Sequence, residues 1–225
     1  PKPTKKGYKF LGWYTDSECT KEFTKTTVPG VASLKLYPKW KEFNVDYTVK
    51  YFYMDADTGK YTSQYSSVSK TKQLGDVCVT SSEYDDKVSG TQLYCEKMEA
   101  TINGKTVSLD AKNMEKNEVA ENMTEVRVYV GLKKYQVTWV WEDANGSTVQ
   151  KTEDRCYGAK LSVPKDVPTK IVNDDGSYRK VTGWAVTNSQ SGDVVWTINS
   201  ADGIYSKKLP AHDVTITATM SDVYY

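Results

Sequence analysis

The stretch of the chain that decides the fold runs from Tyr135 to Gly146 and reads Tyr-Gln-Val-Thr-Trp-Val-Trp-Glu-Asp-Ala-Asn-Gly. Every second residue as far as Trp141 is large and apolar, and the residues between them are mostly polar. The run ends in Asp-Ala-Asn-Gly, a sequence that favours a tight turn. This alternation predicts a half-buried strand that leads into a hairpin.

The same pattern occurs earlier in the chain, from Tyr47 to Gly59, with aromatic residues, valine and aspartate in the same register. Two copies of so long a pattern predict a repeated module. The length of 225 residues leaves room for several small modules. The 17 tyrosines and 6 tryptophans suit a pleated, half-buried surface better than a helix. We therefore predict a mainly β protein of the α+β class.

Three further phrases recur in the same order near the two ends of the chain: Pro-Thr-Lys, Gly-Trp and an alternating strand pattern. They are Pro3-Thr-Lys, Gly12-Trp13 and Leu34 to Trp40 in the first copy, and Pro168-Thr-Lys, Gly183-Trp184 and Val214 to Met220 in the second. The first copy lacks the Tyr-x-Val-x-Trp opening strand. We interpret residues 1–43 as the C-terminal part of a truncated repeat, called the first repeat below, and residues 133–225 as a further repeat, called the third module.

Residues 44–132, called the middle module, open with the repeated strand but contain no Gly-Trp pair. They contain instead an Asn103-Gly104 hairpin signal and, at residues 110–123, the best helix candidate of the chain. The junctions at residues 41–46 and 132–134 are short. Short junctions predict a semi-rigid, elongated rod rather than a flexible string of modules.

The first repeat carries a family resemblance. The run from Pro3 to Asp16, together with Leu36-Tyr-Pro-Lys-Trp40, resembles the Listeria–Bacteroides repeat, also called the internalin B-type repeat, of bacterial surface proteins. The third module resembles a diverged member, and the middle module is similar to the related mucin-binding-protein (MucBP) type through its Tyr-x-Val-x-Tyr opening. The resemblance implies tandem small β-grasp (ubiquitin-like) modules on secreted or wall-attached proteins, mostly of Gram-positive bacteria. It implies no catalytic activity, and we expect no cofactor.

Aromatic residues are the main candidates for both packing and binding. We expect four tryptophans to be structural anchors of the core: Trp13, Trp139, Trp141 and Trp184. A glycine directly before a buried tryptophan suggests that the chain turns there or lies close under the indole ring. Three solvent-facing tyrosines could stack on sugar rings as ligand-binding residues: Tyr61, Tyr65 and Tyr84. The alternative is that these tyrosines lie at edges or in loops and bind nothing.

Catalytic and metal-binding patterns are weak. The single histidine, His212, lies in a predicted turn, and no nucleophile motif accompanies it. The sequences after Asp55 and Asp143 begin like calcium loops but lack the glycine at the sixth position and the glutamate at the twelfth. Hairpin turns explain them better. We expect no enzyme and no metal site.

The four cysteines form no Cys-x-x-Cys pair, which argues against a zinc site. Cys78 and Cys95 fall in one module and could form a disulfide in a secreted protein. Cys19 and Cys156 are expected to act as small buried hydrophobes.

Charge and hydropathy limit the function classes. Lys and Arg number 30 against 29 Asp and Glu, a net charge of +1, so nothing indicates nucleic-acid binding. No apolar run approaches the roughly 20 residues needed to span a bilayer. We expect a monomer at the bacterial cell surface or cell wall, with no membrane insertion.

Two functions fit this pattern. The leading hypothesis is a stalk or spacer that holds another domain away from the wall. The alternative is an adhesive module that binds mucin glycans, another polysaccharide or a host surface protein through the middle module, because insertions on a repeat scaffold often carry specific contacts.

Overall fold

The structure is a computed structural model that describes residues 2–24, 30, 33–85, 92–173 and 175–223, without the side chains of residues 64, 65, 84 and 85. It is mainly β, with 55% strand and 5% helix, which confirms the prediction of a mainly β protein. The chain divides into two compact units. Unit 1 comprises Pro1–Phe52, Ser63–Ser89 and Cys95–Val130, and unit 2 comprises Tyr53–Thr62, Gly90–Tyr94 and Gly131–Tyr225. The module boundaries after residues 43 and 132 stay a prediction.

Thirteen strands are described. They are β1 (Tyr8–Tyr14), β2 (Tyr37–Glu42), β3 (Asn44–Met54), β4 (Tyr61–Gln73), β5 (Leu93–Ile102), β6 (Lys105–Leu109), β7 (Met123–Leu132), β8 (Lys134–Glu142), β9 (Thr148–Cys156), β10 (Lys170–Val172), β11 (Tyr178–Asn188), β12 (Val194–Ile198) and β13 (Val214–Val223). The described helices are a short α1 (Ser82–Asp85) and two 3-10 helices, Met114–Lys116 and Ala201–Ser206.

The sheet of unit 2 is built on β8, the strand predicted from the alternating stretch. Strands β8 and β9 form an antiparallel hairpin, and β8 also pairs in parallel with β13, the last strand, with Val137 opposite Val214. On its other side β13 pairs with β11, which pairs with β10 and β12. Alternate β8 residues point into the core, where Val137 and Trp139 are 0% and 1% exposed.

The second large sheet shares part of this strand order, and most of its residues belong to unit 1. Its order is β4-β3-β7-β5-β6, so the opening strand β3 lies between the second strand and the last strand. Unit 2 has this arrangement too, because β8 lies between β9 and β13. The alternating residues of β3 are buried, with Tyr47 4% exposed and Val49 0%. The repeat seen in the sequence is therefore accompanied by a shared order of three strands, second-first-last.

The helix candidate at residues 110–123 forms only the single 3-10 turn Met114–Lys116. Asn117 explains this difference, because its buried side chain holds the segment as a loop. Its amide group donates hydrogen bonds to the carbonyls of Asp110 (2.8 Å) and Met114 (3.1 Å), and its Oδ1 accepts one from the Asp110 amide (2.8 Å). Side chains of this type offer the backbone an alternative to helical hydrogen bonding.

Strands β1 and β2 form a two-stranded antiparallel sheet with a bulge directly before Gly12-Trp13. In the third module, β11 and β13 have a bulge directly before Gly183-Trp184. The extra residue is Leu11 in the first case and Thr182 in the second. The first repeat and the third module thus share an irregularity of register as well as the Gly-Trp pair.

Gly183 is required by a close approach of two backbones. A Cβ atom at this position would lie 2.2 Å from the carbonyl oxygen of Ile198 on the neighbouring strand β12. No side-chain rotation can relieve this contact, because the obstructing atom belongs to the backbone. In unit 2, the predicted close approach beside the tryptophan is therefore the approach of Gly183 to the backbone of Ile198.

The cysteines are free thiols in the structure, so the bridge predicted between Cys78 and Cys95 is not formed in it. Cys78 is fully buried, and its carbonyl accepts a hydrogen bond from the hydroxyl of Tyr47 (2.7 Å). Burial raises the pKa of the Cys78 thiol. Burial also raises the pKa of Cys95 to about 11. Both environments therefore disfavour the reactive thiolate.

Gly183→Ala is expected to destabilise the protein by about 1–3 kcal/mol, because the added methyl group forces β11 and β12 apart. Urea denaturation followed by tryptophan fluorescence measures this change. Gly30→Ala is the control, since no atom of the described residues lies within 4 Å of its added Cβ, and it should change the stability by less than about 0.5 kcal/mol. Equal effects of the two substitutions would contradict the proposed role of Gly183.

A thiol titration tests the state of the cysteines. Denatured, unreduced protein should yield four thiols, whereas a count of two would show a bridge. In the native protein at pH 8, the raised pKa of Cys95 keeps its thiol protonated, and Cys78 and Cys156 are buried. Half-buried Cys19 should therefore give the one fast reaction, and Cys19→Ser should remove it.

Candidate functional site

Three of the four predicted anchors, all in unit 2, lie in a closed core. Trp139, Trp184 and Trp141 are 1%, 3% and 5% exposed. The rings of Trp139 and Trp184 meet edge to face with centroids 5.7 Å apart, an arrangement favoured by the aromatic quadrupole. The Trp184 indole N–H donates a hydrogen bond to the carbonyl of Ala201 (2.7 Å). These indoles are used for packing and are not presented to a ligand.

Trp13, the fourth predicted anchor, is only half-buried. Its ring meets that of Phe10 edge to face, with centroids 5.5 Å apart, and Phe10 meets Trp40 at the same distance. Phe10 and Trp40 are also half-buried and lie directly opposite each other on β1 and β2. The first repeat therefore carries an aromatic cluster that is partly open to solvent.

The three tyrosines predicted to bind sugars are not brought together as a described site. Tyr61 begins β4 and is half-buried. The side chains of Tyr65 and Tyr84 lie outside the described part of the structure. Glycan binding by these residues stays a prediction.

The acidic turns that resemble calcium loops use their carboxylates for local hydrogen bonds. Asp55 Oδ1 accepts hydrogen bonds from the amide of Thr58 (2.8 Å) and from its hydroxyl (2.7 Å), which lower the pKa of Asp55. Asp143 Oδ1 accepts from the amides of Asn145 (2.8 Å) and Ser147 (2.9 Å). Among the described residues, no three His, Cys, Asp or Glu side chains are grouped so that they could hold a metal ion.

His212 lies in the turn before β13. Its Nδ1 is 3.0 Å from the backbone carbonyl of Asp213. The Asp213 carboxylate in turn accepts a hydrogen bond from the amide of Gln136 (2.8 Å) on β8. Asp213 therefore connects this turn to β8, the opening strand of the module. The hydrogen bond of His212 is local and involves only the backbone of the next residue.

A charged cluster lies beside α1 in the middle module. Glu83 forms ion pairs with Lys70 and with Lys72 (3.7 Å), and it accepts a hydrogen bond from the hydroxyl of Tyr51 (3.3 Å). Burial opposes ionisation of Glu83, but the hydrogen bond from Lys70 and the charges of both lysines keep its pKa below the ordinary value. The two lysines therefore satisfy a half-buried carboxylate, which is a structural role.

The groove in unit 1 is the described surface that best suits a ligand. It has a volume of about 510 Å³, within the usual range for ligand pockets. Phe10 and Trp40 provide apolar lining. Four lysines and two glutamates provide the charged lining: Lys2, Lys5, Lys6, Lys9, Glu118 and Glu121.

Hydrogen bonds and an ion pair connect the segments that line the groove. The Gly7 amide donates to the carbonyl of Leu74 (2.6 Å), and the Phe43 amide donates to the carbonyl of Gly7 (3.0 Å). Lys9 Nζ lies 2.5 Å from Glu121 Oε1, and this hydrogen bond lowers the pKa of Glu121. Lys5 Nζ lies 3.9 Å from the centroid of the Tyr8 ring, as in a cation–π contact.

This groove can hold an acidic group beside an apolar surface, since its cations outnumber its anions. Sequence reasoning missed it because the overall charges are balanced and look evenly scattered. The available signal was local: four of the first nine residues are lysines, and Tyr8 lies among them.

No helix of the described ranges combines the length and apolar character that a bilayer-spanning helix needs.

Comparison with protein families supports the repeat interpretation. No curated protein matches the chain. The family model described as the Listeria-Bacteroides repeat domain (List_Bact_rpt) matches residues 1–39, a segment that contains β1 and the beginning of β2. This repeat family is typical of bacterial surface proteins, so the first repeat is similar to repeats of that kind.

Proposed function

We propose that this chain is a non-catalytic repeat region of a bacterial surface or secreted protein, in which tandem β-grasp modules serve as a stalk or spacer. The observation that carries the proposal is the strand order second-first-last, which occurs in both large sheets. A chain that repeats one small structural unit gains length with each copy, whereas a new active site would require a departure from the repeat.

The β-grasp assignment rests on this order and on the parallel pairing of β8 with β13. Parallel neighbours need a long crossover connection, and here the remaining strands of the module provide it. We assign the middle module to the MucBP-like type because it shares the second-first-last order and has the Tyr-x-Val-x-Tyr opening. The inward-facing indoles of Trp139 and Trp184 support a role in packing over a role in chemistry.

Small-angle X-ray scattering of the whole chain tests the spacer. A compact protein of this length would have a radius of gyration of about 17 Å, whereas three modules arranged in line should give at least about 25 Å. The measurement needs a concentration series, because dimers would also increase the value. A monomer with a radius near the compact value would contradict the proposal.

Adhesion is the second candidate, and the basic groove of unit 1 favours it. Lysines beside half-buried aromatic rings suit sugars that carry carboxylate or sulfate groups, because the cations attract the acid and the rings contact the apolar face of the sugar. This site differs from the predicted tyrosine site in the middle module.

A polysaccharide array probed with the whole chain tests adhesion. Binding to acidic glycans should exceed binding to neutral ones and should weaken with salt. Lys5→Glu should reduce the affinity about fivefold, in keeping with the small energies of exposed charge pairs. Lys112→Glu, an exposed change outside the groove, should leave it unchanged. Equal binding by both variants would rule out the groove.

A further inference from the structure

The turn between β3 and β4 belongs to the middle module in sequence, but it packs within unit 2. Residues 53–62 form a compact unit together with residues 131–225. The turn comprises residues 54–60 and is called the β3–β4 turn below. Its neighbour is the loop at residues 156–160, called the β9 loop, which begins at the last residue of β9. Both segments therefore lie inside one compact unit.

The two segments are each shaped by their own hydrogen bonds. The bonds that Asp55 accepts from Thr58 hold the β3–β4 turn. In the β9 loop, the Gly158 amide donates to the carbonyl of Leu209 (3.0 Å), and the Leu209 amide donates to the carbonyl of Ala159 (2.8 Å). Because both surfaces are ordered by local bonds, little conformational entropy is lost when they meet.

The contact between them has a polar part and an apolar part. Asp57 Oδ1 accepts a hydrogen bond from the Lys160 amide (2.7 Å), a distance typical of a charge-assisted hydrogen bond. The Met54 sulfur lies 3.7 Å from the Cys156 sulfur, and a Cβ atom added to Gly59 would lie 3.8 Å from the same sulfur. Cys156 is 4% exposed. Residues at both ends of the turn therefore lie against this thiol.

A second segment of the middle module also reaches the third module within unit 2. The Lys133 amide donates to the carbonyl of Gln92 (2.9 Å), and the Tyr135 hydroxyl donates to Gln92 Oε1 (2.6 Å). These bonds lie beside the covalent junction at residues 132–134. The β3–β4 turn contacts a loop farther along the chain, so it is an attachment separate from the junction.

We propose that the β3–β4 turn is a docking element for the following module, and that the surface it recognises is the β9 loop. The Asp57 carboxylate recognises a loop amide, while Met54 and Gly59 cover the Cys156 thiol. Motion between neighbouring modules is the default when only a short linker connects them, and a second attachment restricts it. The use of this restriction in a spacer rests on the proposed function, whereas the docking contact does not.

Alkylation of Cys156 in the whole chain measures docking. The native protein is treated with N-ethylmaleimide, and the extent of reaction is followed for each cysteine-containing peptide by mass spectrometry. Cys156 should react slowly, because its thiol becomes accessible only when the turn moves away from the β9 loop, and the rate then follows the population of the open state. Cys78, which is 0% exposed and lies in unit 1, is the internal control for general unfolding.

Three variants locate the contact. Asp57→Ala should raise the rate of Cys156 alkylation about fivefold, because one hydrogen bond of the docked state is lost. Asp57→Asn should stay within about twofold of the wild-type rate, because the amide oxygen still accepts a hydrogen bond. Asn145→Ala is the matched control. Asn145 is exposed and follows an Asp-Ala pair in the β8–β9 turn, as Asp57 does in the β3–β4 turn, and its substitution should leave the rate unchanged.

A faster reaction of Cys156 in Asp57→Ala, with Cys78 and the Asn145→Ala variant unchanged, would support docking. Equal rates in the wild type and Asp57→Ala would overturn it. An increase as large at Cys78 as at Cys156 would also overturn it, because it would show general unfolding rather than release of the turn. Scattering separates this proposal from the spacer, since a compact radius of gyration would contradict the spacer and leave the alkylation result unchanged.

Discussion

The pairing of the first strand of a module with its last strand is the contact on which the third module depends. Through this contact the β8–β9 hairpin is joined to β13, the last strand of the module. It also places Trp139 against Trp184, so that backbone pairing and aromatic packing stabilise the same junction. Because the partners are far apart in sequence, loop-closure entropy opposes the contact, and the buried indoles help to offset that cost.

The strands could be predicted from the sequence because their signal is local. Alternation from Tyr135 to Trp141 gives β8, and Asn103-Gly104 gives the tight turn between β5 and β6, where both residues have positive φ values of 52° and 72°. Alternation specifies which residues face the core, but it does not specify which strand lies on either side. The order of strands became visible only in the structure.

Interactions between distant residues explain what sequence reasoning missed. Residues 110–123 have a composition that permits a helix, yet the buried amide of Asn117 holds Asp110 and Met114 in a loop. The groove was missed because its lysines and Trp40 lie on different strands or segments and come together only in the fold. Trp13 is half-buried whereas Trp184 is buried, so the Gly-Trp phrase that both share does not by itself determine the burial of the indole.

The bulge before each Gly-Trp pair changes which face of the strand the following side chains occupy. Side chains of a regular strand alternate between faces, so residues three positions apart point in opposite directions. One extra residue reverses this rule, and it lets Phe10 share a face with Trp13, as Val181 does with Trp184. Loss of the extra residue would turn the indole outward. In both Gly-Trp copies of this chain, an apolar residue three places before the tryptophan therefore lies on the same face as the indole.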